Sequence, residues 1–367
     1  MQRGSVDIVI VNYRDAANAL QALARLADWP HGTLWLVDNS AHEADMAADT
    51  AALRAASGAM PAVKLLAAGV NLGFGRACNL AFEQSVAEFF LLLNPDARIS
   101  ADDVLLLRRV LQEQPSVGAV SPKIFWNEQR SFVLPPAFPQ TPWYSVAQAL
   151  ATRSSRLAHW AAQRGVRRAM RQMAGSDTFG VSFLAGSVLL LRRAAVLQAG
   201  GLFDPDYFMF YEDSDLSLRL RRAGCKLALA PAASAVHEYR HKAFKAELMA
   251  QSQQLYFSKQ YPLFYRCSDR LNLVPRLARP MELTDWFRVL AQPISSAAEF
   301  ARQTGAARVL AFSPTLLLMP AIFRTTAAQA RPFDEAEWDL LEPGAYSALV
   351  EGFGAGAAPA WLWFSKA

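Results

Sequence analysis

The sequence is short of cysteine. Cys78, Cys225 and Cys267 are the only three in 367 residues and lie far apart, so neither a CxxC-type zinc site nor a disulfide framework is expected. A reducing compartment is the simplest reading. Long apolar runs are lacking as well. The run Val6–Val11 gives way at once to Asn12-Tyr13-Arg14-Asp15, too early for the core of a signal peptide. The stretch Val309–Phe323 is interrupted by Pro314 and Pro320 and is too short to span a bilayer. A cytoplasmic chain without a transmembrane helix is the expectation. No GxGxxG and no GxxxxGK[ST] occurs, which argues against dinucleotide binding and against an NTPase. Excess charge is also scarce, with 37 basic residues against 32 acidic ones and a net +5. That is not the composition of a nucleic-acid binder, and no nucleic-acid partner is expected.

What the chain does have is a globular composition, 53% apolar and 19% charged, and a length suited to about two domains. Short apolar runs alternate with helical patterns over the first 125 residues. Strands are expected at Val6–Val11, Leu34–Val37, Val63–Ala67, Phe89–Leu93 and Val117–Ile124. Helices are expected over Ala16–Ala27, Ala44–Ala56, Arg76–Ser85 and Asp102–Gln114. Such alternation implies right-handed βαβ units and a mostly parallel sheet covered on both faces. Ligands bind such sheets beyond the carboxyl ends of the strands, where Asn12-Tyr13, Asp38-Asn39 and Asn94-Pro95-Asp96 stand. Asn and Asp are also favoured there for turn geometry alone.

Gly69 to Asn79 (GVNLGFGRACN) is a glycine-rich turn entering a helix, and backbone amides at a helix N-terminus suit a diphosphate. Phe183–Leu191 reads as a strand. Tyr207 to Asp215 (YFMFYEDSD) delivers three carboxylates behind an aromatic run into a helix over Leu216–Ala223. Helix capping accounts for one or two of these acids, not for the aromatic run. His237 ends a short strand, Ala232–Val236; a lone His in such a place is more often packing or surface than ligand.

Taken in order, NYR (12–14), LVDNS (36–40), NLGFGRACN (71–79), LLLNPD (91–96), FLAGSVLLLRR (183–193), GGLFDPDYFMFYEDSDLSLRLRRAG (200–224) and His237 resemble the family 2 glycosyltransferases, and within them the rhamnosyltransferase-like enzymes of bacterial polysaccharide assembly. The resemblance runs over roughly residues 5 to 262. It implies an α/β GT-A fold, a Rossmann-like mostly parallel sheet flanked by helices, and inverting transfer from a nucleotide-sugar donor with Mg²⁺ or Mn²⁺. Asp38 matches the acid that holds the nucleoside, with Asn12 and Tyr13 beside it. Asn71, Gly73, Arg76 and Asn79 match the donor-side loop. Asn94-Pro95-Asp96 stands at the metal-binding DxD position, with Asn in place of the first acid, leaving Asp96 as carboxylate ligand. Asp213, in the pair Glu212-Asp213, matches the catalytic base, and His237 a metal- or phosphate-contacting histidine. The implied partners are a dTDP- or UDP-sugar donor and a glycan or lipid-linked glycan acceptor, at the inner face of the cytoplasmic membrane. Nothing in these motifs reads the sugar ring: rhamnose from dTDP-rhamnose is the leading donor, with a UDP-hexose as alternative. A non-catalytic glycan- or membrane-binding scaffold on the same fold is the reading from another class.

The expected domains are residues 1–262, with a basic helical insert at about 140–175, and a C-terminal accessory region 263–367. Between Glu128 and Asp177 the chain holds seven arginines and neither acid nor lysine. The Arg-rich segment 153–171 alternates with apolar residues at helical spacing, which reads either as a membrane-surface helix or as a solvated helix packed on the enzyme. The C-terminal region is expected to be helical in part over Leu277–Glu299. It then becomes a small β-rich appendage, with strands at Val309–Phe312, Ala321–Thr325, Tyr346–Glu351 and Trp361–Phe364. A homo-oligomeric role for it is open, and Trp361 and Trp363, which would share a strand face, read more readily as core than as a sugar platform.

Overall fold

The structure is a computed structural model and describes residues 2–135, 140–238, 245–271, 282–315, 318, 321–351 and 360–367. In chain order the elements are β1 (Gln2–Asn12), α1 (Ala16–Ala24), β2 (Leu34–Asp38), α2 (Ala47–Ala59), β3 (Val63–Ala67), α3 (Gly73–Gln84), β4 (Ala87–Leu93), β5 (Ala97–Ile99), α4 (Ala101–Glu113) and β6 (Val117–Phe125). There follow α5 (Pro142–Ala151), α6 (Ser155–Ala174), β7 (Phe179–Val181), β8 (Val188–Arg192), α7 (Arg193–Gln198), α8 (Glu212–Arg222), β9 (Lys226–His237), α9 (Lys245–Gln260) and α10 (Pro262–Leu271). The chain ends with α11 (Leu283–Trp286), β10 (Arg288–Val289), α12 (Ala297–Thr304), β11 (Arg308–Ser313), β12 (Ile322–Phe323), α13 (Glu335–Asp339), β13 (Gly344–Glu351) and β14 (Ala360–Lys366). Among the described residues no helix is long and apolar enough to cross a membrane.

Two compact units result. The first comprises residues 1–124, 176–237 and 247–256. Its sheet runs β3-β2-β1-β4-β8-β6-β9-β5, with β7 paired to β9. The β3-β2-β1-β4 half is parallel, and β8 joins β4 antiparallel. Side chains alternate across the pleat. Ile8, Ile10, Leu91 and Leu93 bury on one face with α1 and α4, and Val9, Val11, Phe90 and Leu92 on the other with α3 and α7. This is the α/β GT-A type of architecture the resemblance implied. One expected strand is shorter: β8 begins only at Val188, and Phe183–Ser187 forms a loop. Ser217 accounts for it, since its hydroxyl accepts from the Leu184 amide at 3.3 Å and lies 3.4 Å from the Leu184 carbonyl. Helix α8 begins at Glu212, four residues earlier than expected, with Glu212, Asp213 and Asp215 in its first turn.

The second unit comprises residues 125–175, 238–246 and 257–367. Its five-stranded sheet has the order β10-β14-β13-β11-β12, so the β-rich appendage expected from the sequence is present; residues 277–281 of the expected helical stretch lie outside the described residues. The basic segment groups with this unit rather than with the first, for visible reasons. Trp126 and Phe132 share a core with Phe312 and Phe333, and α6 buries Ala158, Ala162, Val166, Met170 and Met173. His159, on the same helix, stacks on Trp361 with ring centroids 4.0 Å apart. Trp361 is thus core, as expected, and burial pulls the pKa of His159 down to about 4.

Candidate functional site

The first unit gathers its candidate residues at one edge of the sheet. Asn12 ends β1 directly opposite Asp38 at the end of β2. The Asn12 amide donates to Asp38 Oδ1 at 3.0 Å and to Ser40 Oγ at 3.2 Å. Asp38 is fully buried and also accepts from the Ser40 amide and hydroxyl and, on Oδ2, from Thr50 Oγ1 at 2.8 Å. Both its oxygens are therefore engaged, Oδ1 by the Asn39-Ser40 turn and Oδ2 by Thr50 on α2, while Tyr13 is exposed.

The glycine-rich turn is tied down from two sides. The buried Asn39 donates to Asn71 Oδ1 at 2.9 Å and accepts from the Leu72 amide at 2.9 Å. Asn71 Oδ1 also accepts from the Gly73 amide, and the Phe74 amide donates to the Phe208 carbonyl at 3.0 Å. The first amides of α3, which the sequence suggested for a diphosphate, are thus satisfied within the protein. Further along α3, Arg76 Nε donates to the Pro205 carbonyl at 2.6 Å, and Asn79 exchanges two hydrogen bonds with the Phe203 backbone. In this structure the residues matched to the donor-side loop hold segment 203–208, which leads into α8. Gly73 has φ +75°, and a Cβ there would lie 2.1 Å from the Phe208 carbonyl oxygen. Only glycine suits that approach.

The Asn94-Pro95-Asp96 turn joins β4 to β5. Pairing of β5 with β9 sets Ala97 opposite His237, which brings His237 Nε2 to 3.2 Å from Asp96 Oδ1. Arg98 fixes the turn from behind, donating to the Pro95 and Ala97 carbonyls and to Asn18 and Gln21. A carboxylate oxygen and an imidazole nitrogen this close are a donor pair suited to a divalent cation. Among the described residues no group of three or more His, Cys, Asp or Glu is arranged to hold a metal. A cation at Asp96 and His237 would therefore draw the rest of its shell from phosphate oxygens and water, the usual manner of Mg²⁺ in nucleotide sites. The residues fit.

Asp213 reaches the same edge through the Phe183–Ser187 loop. The Gly186 amide donates to Asp213 Oδ2 at 3.2 Å, and the neighbouring Ser187 carbonyl accepts from the Asn94 amide at 2.8 Å. Two consecutive residues thus link the candidate base to the candidate metal turn. Asp213 Oδ1 accepts from the Ser214 amide at 2.7 Å. Burial pushes the Asp213 carboxyl above the usual range, and the Gly186 and Ser214 amides pull it partly back. Burial, then the Asp213 charge, push Glu212 upward as well, and Glu212 Oε2 has no hydrogen-bond partner among the described residues. Phe210 and Tyr211, just before the pair, have φ of +69° and +64°. Left-handed aromatics are costly and concentrate at functional sites. Asp215 does not join the acids: it is buried against Arg219 Nε at 2.6 Å, and Arg219 holds the carbonyls of Ala199, Gly201 and Leu202.

All twelve candidate residues lie in this unit, and the structure gathers eight of them into two clusters. One runs from Asn12 and Asp38 through Asn39 to Asn71 and Gly73; the other joins Asn94, Asp96, His237 and Asp213. Asn39, Arg98, Gly186 and Ser187 were not among the candidates. Asn39 had a signal, a polar residue straight after an apolar strand. The others act through partners that no local pattern announces.

Comparison with known proteins gives the following. A family profile described as glycosyltransferase like family 2 matches residues 3–255. The N-acetylglucosaminyl-diphospho-decaprenol L-rhamnosyltransferase of Mycobacterium tuberculosis is 30% identical over 208 residues, 49% of this chain and 60% of that protein. This chain thus spans under two thirds of the mycobacterial relative's length. Rhamnosyltransferase WbbL of Escherichia coli K12 is 28% identical over 218 residues, 55% of this chain and 76% of that protein. Among solved structures, the mannosyltransferase PcManGT from Pyrobaculum calidifontis, in complex with GDP-Man and Mn²⁺, superposes with a TM-score of 0.49 and 17% identity, covering 74% of this chain and 71% of that one.

Proposed function

Since the chain belongs to the glycosyltransferase-like family 2, we propose that it is an inverting transferase that moves a sugar from a nucleotide-sugar donor to a hydroxyl of a glycan or lipid-linked glycan. The observation that carries this reading is the Gly186-Ser187 link, which holds Asp213 beside the Asn94-Pro95-Asp96 turn and His237. An acceptor hydroxyl is a poor nucleophile until its proton is being removed. Asp213 is the general base: it takes that proton as the oxygen attacks the anomeric carbon from the side opposite the departing diphosphate, which inverts the centre. Burial makes Asp213 a stronger base than an ordinary aspartate, and the Gly186 and Ser214 amides aim its oxygens. Asp96 and His237 are the residues that would hold Mg²⁺ or Mn²⁺, whose Lewis acidity, when bound, offsets the charge growing on the leaving diphosphate. Glu212 is the buried second acid of the pair, its carboxyl raised by burial and by the charge of Asp213.

The donor reading is dTDP-rhamnose, supported by two relatives that are themselves rhamnosyltransferases. Such an enzyme works at the inner face of the cytoplasmic membrane on a growing surface polysaccharide. The test is a thermal-shift panel of dTDP-rhamnose and UDP-hexoses with and without Mn²⁺, followed by a transfer assay. A Mn²⁺-dependent shift with dTDP-rhamnose is expected, and a shift with a UDP-hexose alone would reassign the donor. The absence of any shift would sink the enzyme reading in favour of a scaffold. Asp213→Asn is expected to abolish transfer while donor affinity stays within a few fold; loss of donor binding instead would mean that Asp213 is misassigned.

A further inference from the structure

Helix α6 has two unlike faces. One buries Ala158, Ala162, Val166, Met170 and Met173. At 3.6 residues per turn, Arg156, Arg164, Arg167, Arg168 and Arg171 all fall on the opposite side, within an arc of about 120°. All five are exposed. The same arc carries Leu157, 67% exposed, and Trp160, 62% exposed, with the Arg164 guanidinium 5.7 Å from the Trp160 ring. The preceding helix adds Trp143 at 78% exposure and Leu150 at 44%. No acidic residue or lysine occurs between Glu128 and Asp177, so nothing on either helix neutralises the arginines. Solvated helices do not ordinarily show Trp and Leu to water at the centre of their polar face.

We propose that this face of α6 docks on an anionic lipid surface, with the arginines on the headgroup phosphates and Leu157 and Trp160 inserted between them. Two features choose a lipid surface over a soluble polyanion. The apolar side chains sit inside the basic arc rather than beside it, and headgroup depth is where an exposed Trp is best accommodated. Arginine suits the rest of the contact, since its planar fork binds phosphate oxygens bidentately and stays charged. The helix needs no folding on arrival, because its other face is already buried in the second unit. The inference rests on that unit alone and is independent of donor and acceptor.

The test is co-sedimentation of the full chain with phosphatidylcholine vesicles with and without phosphatidylglycerol, at low and high salt, with heparin as a soluble polyanion. Binding is expected only to the vesicles containing phosphatidylglycerol, and it should weaken with salt. The triple change Arg164→Gln, Arg168→Gln, Arg171→Gln should lower it by about fivefold per arginine, roughly a hundredfold in all. The double change Leu157→Ser, Trp160→Ser leaves the charge intact and should still lower vesicle binding by about tenfold or more, with heparin binding unchanged. All five positions are exposed, so the unfolding temperatures should match the parent's, which separates lost docking from lost folding. Failure of the full chain to sediment at low salt overturns the proposal. Vesicle binding that ignores Leu157 and Trp160 while heparin binds equally well also overturns it, in favour of a polyanion site.

Discussion

Gly73→Ala probes how firmly the two clusters are joined. The substitution adds one carbon, with two consequences. At φ +75° an L-residue carries a conformational cost of about 1–2 kcal/mol. The new Cβ would also lie 2.1 Å from the Phe208 oxygen and 2.9 Å from its carbonyl carbon, and backbone cannot swing aside as a side-chain tip can. Clearing the clash moves the Phe208 backbone by about 1 Å, a displacement of the size that costs about a hundredfold in rate when it reaches reacting groups. It also strains or breaks the hydrogen bond from the Phe74 amide to that carbonyl, worth about 1 kcal/mol. The expected result is a loss of roughly 2–3 kcal/mol of stability in urea unfolding and a larger fall in kcat than in donor affinity, because Phe208 lies on the segment leading to Asp213. Gly69→Ala is the control: a Cβ there meets nothing within 4 Å, so stability and rate should hold. If Gly73→Ala matched that control in both, the 203–211 segment would not be positioned through α3, and the account of Arg76 and Asn79 would fail with it.

Two further outcomes follow from the same geometry. Transfer requires Asp213 unprotonated and burial raises its pKa, so kcat/KM should fall as pH drops through a value above the ordinary aspartate pKa of about 3.9; a pH–rate profile whose acid limb lies at or below that value would contradict the base assignment. In the second unit the fully buried Glu337 accepts from Arg324 at 3.1 Å and from Arg331 at 2.8 Å. Glu337→Ala should therefore cost about 3–5 kcal/mol by stranding a buried guanidinium, whereas Arg324→Met with Glu337→Leu should cost much less; equal losses in denaturant unfolding would refute the burial argument.

The parts of the fold that were legible in the sequence are those whose cause is local. Strand β3 runs from Val63 to Ala67 and β2 from Leu34 to Asp38, within a residue of the expected bounds, because an apolar run bounded by polar turns carries that information itself. The candidate residues Asn12, Asp38 and Asn94 stand at or just beyond the ends of β1, β2 and β4, the carboxyl edge that a parallel sheet exposes to ligands. Phe183–Ser187 shows where local reading stops. Its apolar pattern is that of a strand, yet Ser217 and Asp213, 33 and 27 residues further along the chain, bond its backbone and draw it off the ladder. The roles of Arg76 and Asn79 are hidden for the same reason: their partners are 129 and 124 residues away, and the glycine-rich turn alone suggests a phosphate cradle instead.

Charge shows the converse, an average that conceals a local feature. A net +5 over 367 residues gave no reason to expect a polyanionic or lipid partner. The arginines between Glu128 and Asp177 nonetheless outnumber that total, so the remainder of the chain is slightly acidic. Spacing along the chain left two readings of this segment standing, a surface-bound helix or a solvated helix packed on the enzyme, because both need one apolar stripe. The structure adds one observation that bears on the choice. The stripe of Ala158, Ala162, Val166, Met170 and Met173 is already buried, which satisfies the packing reading. Leu157 and Trp160 are left over on the arginine face, and packing does not account for them. A helix that had only to be solvated would gain by replacing both with polar residues, and their exposure is the observation on which the proposed docking rests.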